Sequence, residues 1–205
     1  CVALGLAEMR LHLENIFLSK QKKIEHYNLK NGNLVSTISK AVYGSMIISP
    51  CGTFLLFKSN GGFYSYKSDT KDLDKLQLPV EGLDTGIELY NKVIIPGRKK
   101  GQIFTVYFES GKVEEKYLEE APTTFYRLKK SSDNLYIICI GKDKSIYWLD
   151  CKTLKVTHIT KLKKHIKTDH MGTGCFSGNG QLLCLTVSGT TKNYMIVLDT
   201  ATKEF

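Results

Sequence analysis

The chain has 205 residues, 42% of them apolar and 24% charged, which excludes a disordered polar chain and suits one sizeable domain or two small ones. No run approaches the roughly 18 consecutive apolar residues of a membrane-spanning helix, and the 11 tyrosines and 9 phenylalanines, with many β-branched residues, favour strands. The formal charge of +9 is the one global anomaly, and it points to polyanions: nucleic acid, anionic headgroups or acidic protein faces.

In chain order, five segments begin with a small polar residue and rise into an apolar strand. They are NIFLSK from Asn15, TFLLFKS from Thr53, NKVIIPG from Asn91, NLYIICIG from Asn134 and QLLCLTVSG from Gln181. Successive starts lie 38, 38, 43 and 47 residues apart, close to the ~40–45 of a propeller blade. Turn chemistry precedes three of them, as SPCG, SSD and SGNG. A short polar loop leads from each to a second strand: KIEHYNL, GFYSYKS, QIFTVYFES, SIYWLDC and NYMIVLDT. Further turns and third runs follow, such as NLVSTIS, KLQLP, KVEEKYL and KVTHIT, and then a fourth, such as YGSMIIS, TTFYRLKK or GTGCFS. Strand–turn–strand four times per repeat predicts an all-β chain of about five four-stranded antiparallel blades, near residues 8–39, 43–79, 86–118, 123–161 and 170–205.

The pattern resembles the WD-repeat class of β-propellers. Trp148-Leu149-Asp150 and Val197-Leu198-Asp199 stand where that family's Trp-Asp dipeptide ends a strand. No Gly-His dipeptide opens a blade, so the family's buried His–Asp network is not expected. Five blades could close as a ring if CVALGL supplies an outer strand, or they could be part of a seven- or eight-bladed propeller. The start at Cys1 and the end in TATKEF, where a strand should begin, read as a fragment of a longer chain. The resemblance implies a non-enzymatic interaction scaffold in a larger complex.

The search for chemistry returns little. Six cysteines, at 1, 51, 139, 151, 175 and 184, show no C-x-x-C pair and no zinc-site spacing. Cys139 and Cys184 lie inside apolar strands, where a thiol behaves as a small hydrophobe. This usage predicts a reducing, intracellular setting, cytoplasmic or nuclear and nucleolar. Of His12, His26, His158, His165 and His170, His26 and His158 alternate with apolar residues on predicted strands and are expected to face solvent. No nucleophile elbow, metalloprotease helix or phosphate loop is present. His165, Asp169, His170 and Cys175 are near in sequence but carry no metal-site signature, and nothing in the spacing singles out Glu81 and Asp84 as paired carboxylates. No catalytic residue, metal or cofactor is therefore assigned.

The charge is more informative. In a propeller the loops between the second and third strands of every blade emerge on one face, as the resemblance implies. Here they read SKQKK, SNGG, GRKKG, GKDKS and GTTK, with nine Lys or Arg against the single acid Asp143. A blade connection, KLKKHIK, adds to them, while PVEGLDT and LEEAP interrupt the field with acid. The expected partner-binding residues are Lys20, Lys22, Lys23, Arg98, Lys99, Lys100, Lys142, Lys144, Lys163 and Lys164. No aromatic lies within these tips, so an acidic protein surface is the expected partner, with the RNA backbone of a ribonucleoprotein as the alternative. An enzyme or glycan-binding propeller is a further reading, and the double-arginine signature of phosphoinositide-binding propellers is absent.

Overall fold

The computed structural model describes residues 15–20, 22–43, 46–80, 86–162, 170–189 and 192–205, and every regular element among them is a strand. Five sheets follow one another along the chain. The first holds β1 (Asn15–Lys20), β2 (Lys23–Asn28) and β3 (Leu34–Ile38). The second holds β4 (Met46–Ile48), β5 (Phe54–Ser59), β6 (Gly62–Lys67) and β7 (Leu73–Leu76). The third holds β8 (Ile87–Leu89), β9 (Lys92–Pro96), β10 (Gln102–Tyr107) and β11 (Val113–Tyr117), and the fourth β12 (Phe125–Lys130), β13 (Tyr136–Gly141), β14 (Ser145–Asp150) and β15 (Val156–Lys161). The fifth holds β16 (His170–Phe176), β17 (Leu182–Ser188) and β18 (Asn193–Asp199). Within every sheet the spatial order is the chain order, an up-and-down meander. The CVALGL segment lies outside the described residues.

The turns repeat as faithfully as the strands. Ser49, Ser131 and Ser177 each accept a backbone bond from the residue three positions on, Gly52 at 2.8 Å, Asn134 at 3.1 Å and Gly180 at 2.8 Å. Their hydroxyls then accept the amides of Phe54, Tyr136 and Leu182 at 2.9–3.0 Å. Gly52, Asn134 and Gly180 are left-handed, with φ of 73°, 59° and 72°, a region open to Gly and tolerated by Asn. At the other strand ends, Asp150 Oδ1 accepts the Thr153 amide at 2.7 Å and its hydroxyl at 2.8 Å. Asp199 does the same with Thr202, at 2.8 and 3.2 Å. These bonds, chiefly the backbone one, hold both carboxyls below the usual Asp range. The aspartates that resemble the Trp-Asp signature are thus turn formers.

Two compact units are present: Cys1–Ile94 with Phe104–Glu114, and Ile95–Ile103 with Glu115–Phe205. In the first, Phe17, Ile24 and Ile38 pack with Leu55, Phe57, Tyr64 and Tyr66. In the second, Ile138, Ile140, Ile146 and Trp148 pack with Met171, Leu183, Leu185, Val187, Ile196 and Leu198. The Trp148 indole donates to Thr160 Oγ1 at 2.9 Å, and Thr160 donates onward to the Lys203 carbonyl at 2.9 Å. A buried Trp N–H without such an acceptor would carry a desolvation cost.

One expectation is overturned. His158 is exposed, but His26 is buried, with 1% of its surface accessible. Its Nε2 lies 2.7 Å from Asn15 Oδ1, its Nδ1 3.3 Å from Ser36 Oγ, and its ring stacks on Phe17 at 4.6 Å. The cause is burial of consecutive residues, Ile24, Glu25 and His26, so that β2 is covered on both faces and alternation no longer marks solvent. Burial pushes the imidazole below its usual range. The polar network that forms here uses Asn15, Ser36 and Tyr66 in place of a His–Asp pair.

Candidate interaction surface

In the second unit, the GRKKG tip closes through Gly97 N–H on the Gln102 carbonyl at 2.9 Å and Gln102 N–H on the Lys99 carbonyl at 3.2 Å. Gly101 has φ of 65°, and a Cβ there would come within 2.5 Å of the Leu118 carbonyl oxygen. Glycine is required at that residue both by conformation and by space. Gln102 is buried at 3% exposure and organises the tip from beneath. Its Oε1 accepts the Lys99 amide at 3.0 Å, and its Nε2 donates to Glu115 Oε1 at 2.6 Å and to Tyr117 Oη at 3.3 Å. Arg98, Lys99 and Lys100 stay exposed, and among the described residues none forms an ion pair.

The neighbouring tip carries Lys142 and Lys144, both exposed, with Lys144 in the left-handed region at φ of 66°. Its acid is turned to internal use: Asp143 accepts the buried Tyr147 hydroxyl at 2.6 Å and the Ser145 amide at 3.2 Å. Burial, then the bond to Asp143, pushes the Tyr147 phenol up.

One connecting segment joins the two tips. The Thr123 carbonyl accepts Gly101 N–H at 2.7 Å, and the Thr124 carbonyl accepts Lys142 N–H at 2.9 Å. The Thr123 hydroxyl accepts Asp143 N–H at 3.2 Å. Five predicted residues, Arg98, Lys99, Lys100, Lys142 and Lys144, are therefore brought together, with the exposed Glu119 and Glu120 on the same connection.

The first tip is different. Lys20 and Lys23 both close on Glu25, at 2.5 and 2.6 Å, and the Tyr27 hydroxyl donates to the same carboxylate at 2.8 Å. The bond from Lys20, then those from Lys23 and Tyr27, hold the Glu25 carboxyl down to about 2. Of that tip, Lys22 is exposed without an ion pair among the described residues. Lys163 and Lys164 lie outside the described residues, as do His12, His165, Asp169, Glu81 and Asp84. Among the described residues, no group of three or more His, Cys, Asp or Glu is placed to hold a metal ion, and no helix is long and apolar enough to cross a membrane.

Sequence reasoning missed Glu25 and Tyr117. Glu25 was legible in principle, since Lys23 and Glu25 are two apart and share a strand face. Tyr117 is 45% exposed beside the GRKKG tip, but only the pairing of β11 in the third sheet brings it to Gln102, 15 residues earlier.

These up-and-down sheets and repeated turns define a β-propeller fold. No protein-family model and no curated protein matches the sequence. Among solved structures, the chain is similar to the dihydro-heme d1 dehydrogenase NirN in complex with DHE, at TM-score 0.71 and 17% identity, covering 93% of this chain and 43% of that one. It is also similar to a chain of the mitotic checkpoint complex, at TM-score 0.61 and 16% identity, over 94% of this chain and 59% of that one. The Cps50 (Swd1) β-propeller domain of Myceliophteria thermophila matches at TM-score 0.54 and 14% identity, over 85% and 58%. The chain thus spans between two fifths and three fifths of the length of these neighbours.

Proposed function

We propose that this chain is a non-enzymatic propeller scaffold that engages an acidic protein surface through its basic tips in an intracellular complex. The observation that carries the reading is the joining of Arg98–Lys100 and Lys142–Lys144 through Thr123 and Thr124. It supports a single composite surface in the second unit, with Arg98 and the exposed Tyr117 as its anchors, residue types that dominate interface energetics. The likeness to a chain of the mitotic checkpoint complex favours a scaffold role. Lys20 and Lys23 are occupied by Glu25 and take a lesser part.

The test is affinity capture from lysate with the wild-type chain and with charge reversal at residues 98–100 and 142 and 144. Loss of a shared set of partners from both reversed forms supports the reading, whereas retention of every partner overturns it. Tyr117 also favours a second reading, contact with single-stranded RNA, because an aromatic face beside cations can stack a base. That reading requires affinity to fall steeply with salt, in step with the phosphates neutralised. Binding of an RNA oligonucleotide that is indifferent to salt, or to Tyr117→Ala, excludes it.

A further inference from the structure

The fifth sheet carries a pair of thiols that neither reading uses. Cys175 on β16 and Cys184 on β17 are direct register partners, and Cys184 is in turn opposite Val197 on β18. Residues directly opposite across antiparallel strands project from the same face. That face also holds Leu182, Met195 and Val197, exposed at 45%, 72% and 47%, while Leu183, Leu185 and Leu198 are buried on the other. Cys175 is exposed and Cys184 half-buried, in contrast to the buried Cys139, whose thiol burial pushes well above the usual range.

The pair type follows from the ladder. Ser177 N–H donates to the Leu182 carbonyl at 2.9 Å, and two steps along, Cys175 and Cys184 form the same hydrogen-bonded kind of pair. Such partners hold their Cα atoms about 5.5 Å apart, inside the ~4.4–6.8 Å that a disulfide spans. Their Cβ atoms start at about 4.5–5.5 Å, and a disulfide draws Cβ atoms to about 3.5–4.5 Å. Closure is therefore feasible but pulls the strands together, which marks a labile bond.

We propose that Cys175 and Cys184 are a reversible cross-strand dithiol, closed by a small-molecule disulfide and reopened by a small-molecule thiol. The more exposed Cys175 thiolate attacks one sulfur of the oxidant, forming a mixed disulfide and expelling the first small thiolate. The Cys184 thiolate then attacks Cys175 Sγ, forming the Sγ–Sγ bond and expelling the second. The protein loses two electrons and two protons, and the oxidant becomes two thiols. Closure ties the edge strand β16 covalently to β17 across the exposed face.

The experiment treats the native 205-residue chain with oxidised glutathione, blocks residual thiols by alkylation and reads intact mass and non-reduced peptides. The expected result is loss of two hydrogens and a peptide joining Cys175 to Cys184, reversed by reduced glutathione. Cys51→Ser retains the link, while Cys175→Ser and Cys184→Ser each stop at a mixed disulfide on the remaining cysteine. The same treatment in denaturant should scatter the links among the cysteines. Separate glutathione adducts on Cys175 and Cys184 in the folded wild type, or full alkylation of both, would overturn the proposal without recourse to any variant.

Discussion

The backbone amide of Gly101 and the carbonyl of Thr123 meet at 2.7 Å, and through this bond a hairpin tip is locked to the connection between two sheets. The same Thr123 uses its hydroxyl to accept the Asp143 amide of the next tip. Local turn geometry and the composite basic surface therefore depend on one residue pair.

Gly101→Ala should destabilise the fold. Its φ of 65° is costly for any residue with a Cβ, and the new methyl would meet the Leu118 carbonyl oxygen at 2.5 Å. A loss of about 2 kcal/mol or more is expected in urea unfolding. A stability unchanged within error would show that the tip is not held as described.

Thr123→Val keeps the carbonyl bond to Gly101 but removes the hydroxyl that serves Asp143. The expected cost is about 1 kcal/mol, the net worth of a partly buried hydrogen bond with its donor left unpaired. The partner affinity lost on charge reversal at 98–100 and at 142 and 144 should be non-additive in a double-mutant cycle. Strict additivity would mean that the two tips contact a partner independently.

Glu25 links acid stability to the first tip. Its carboxyl is held down to about 2 from an ordinary value of 4.5, so its contribution is fully present above about pH 4.5 and is lost as pH falls towards about 2. Glu25→Gln should flatten the acid limb of a stability-versus-pH curve across that window. It should also free Lys20 and Lys23, strengthening attachment to an anionic resin.

Tyr90 is left-handed, with φ of 54°, at the turn before β9, where the corresponding turns use Gly52, Asn134 and Gly180. It is 53% exposed. Tyr90→Gly or Tyr90→Asn should raise stability by roughly 0.5–1 kcal/mol by relieving that conformation. A rise in melting temperature checks it, and a fall would mean that the phenol ring makes contacts outweighing its backbone cost.

By itself the sequence determined the repeat. Strand alternation, Ser-x-x-Gly turns and Asp-x-x-Thr turns are local chemistry, encoded within four to eight residues, and they specify blade strands wherever they recur. It also determined which tips carry cations, because Arg98-Lys99-Lys100 is readable without knowing any neighbour. Tertiary structure decided which of those cations are available. Glu25 occupies Lys20 and Lys23, and the Thr123–Thr124 segment brings two tips together. Tyr117 reaches the surface beside Gln102 only through β11 pairing, and His26 is buried because β2 is covered on both faces. The Glu25 pairs are local, closing across the turn between β1 and β2. For the other three the physical reason is shared: cross-strand proximity and burial depend on residues distant in sequence, and the periodicity of a single strand carries no information about what will cover it.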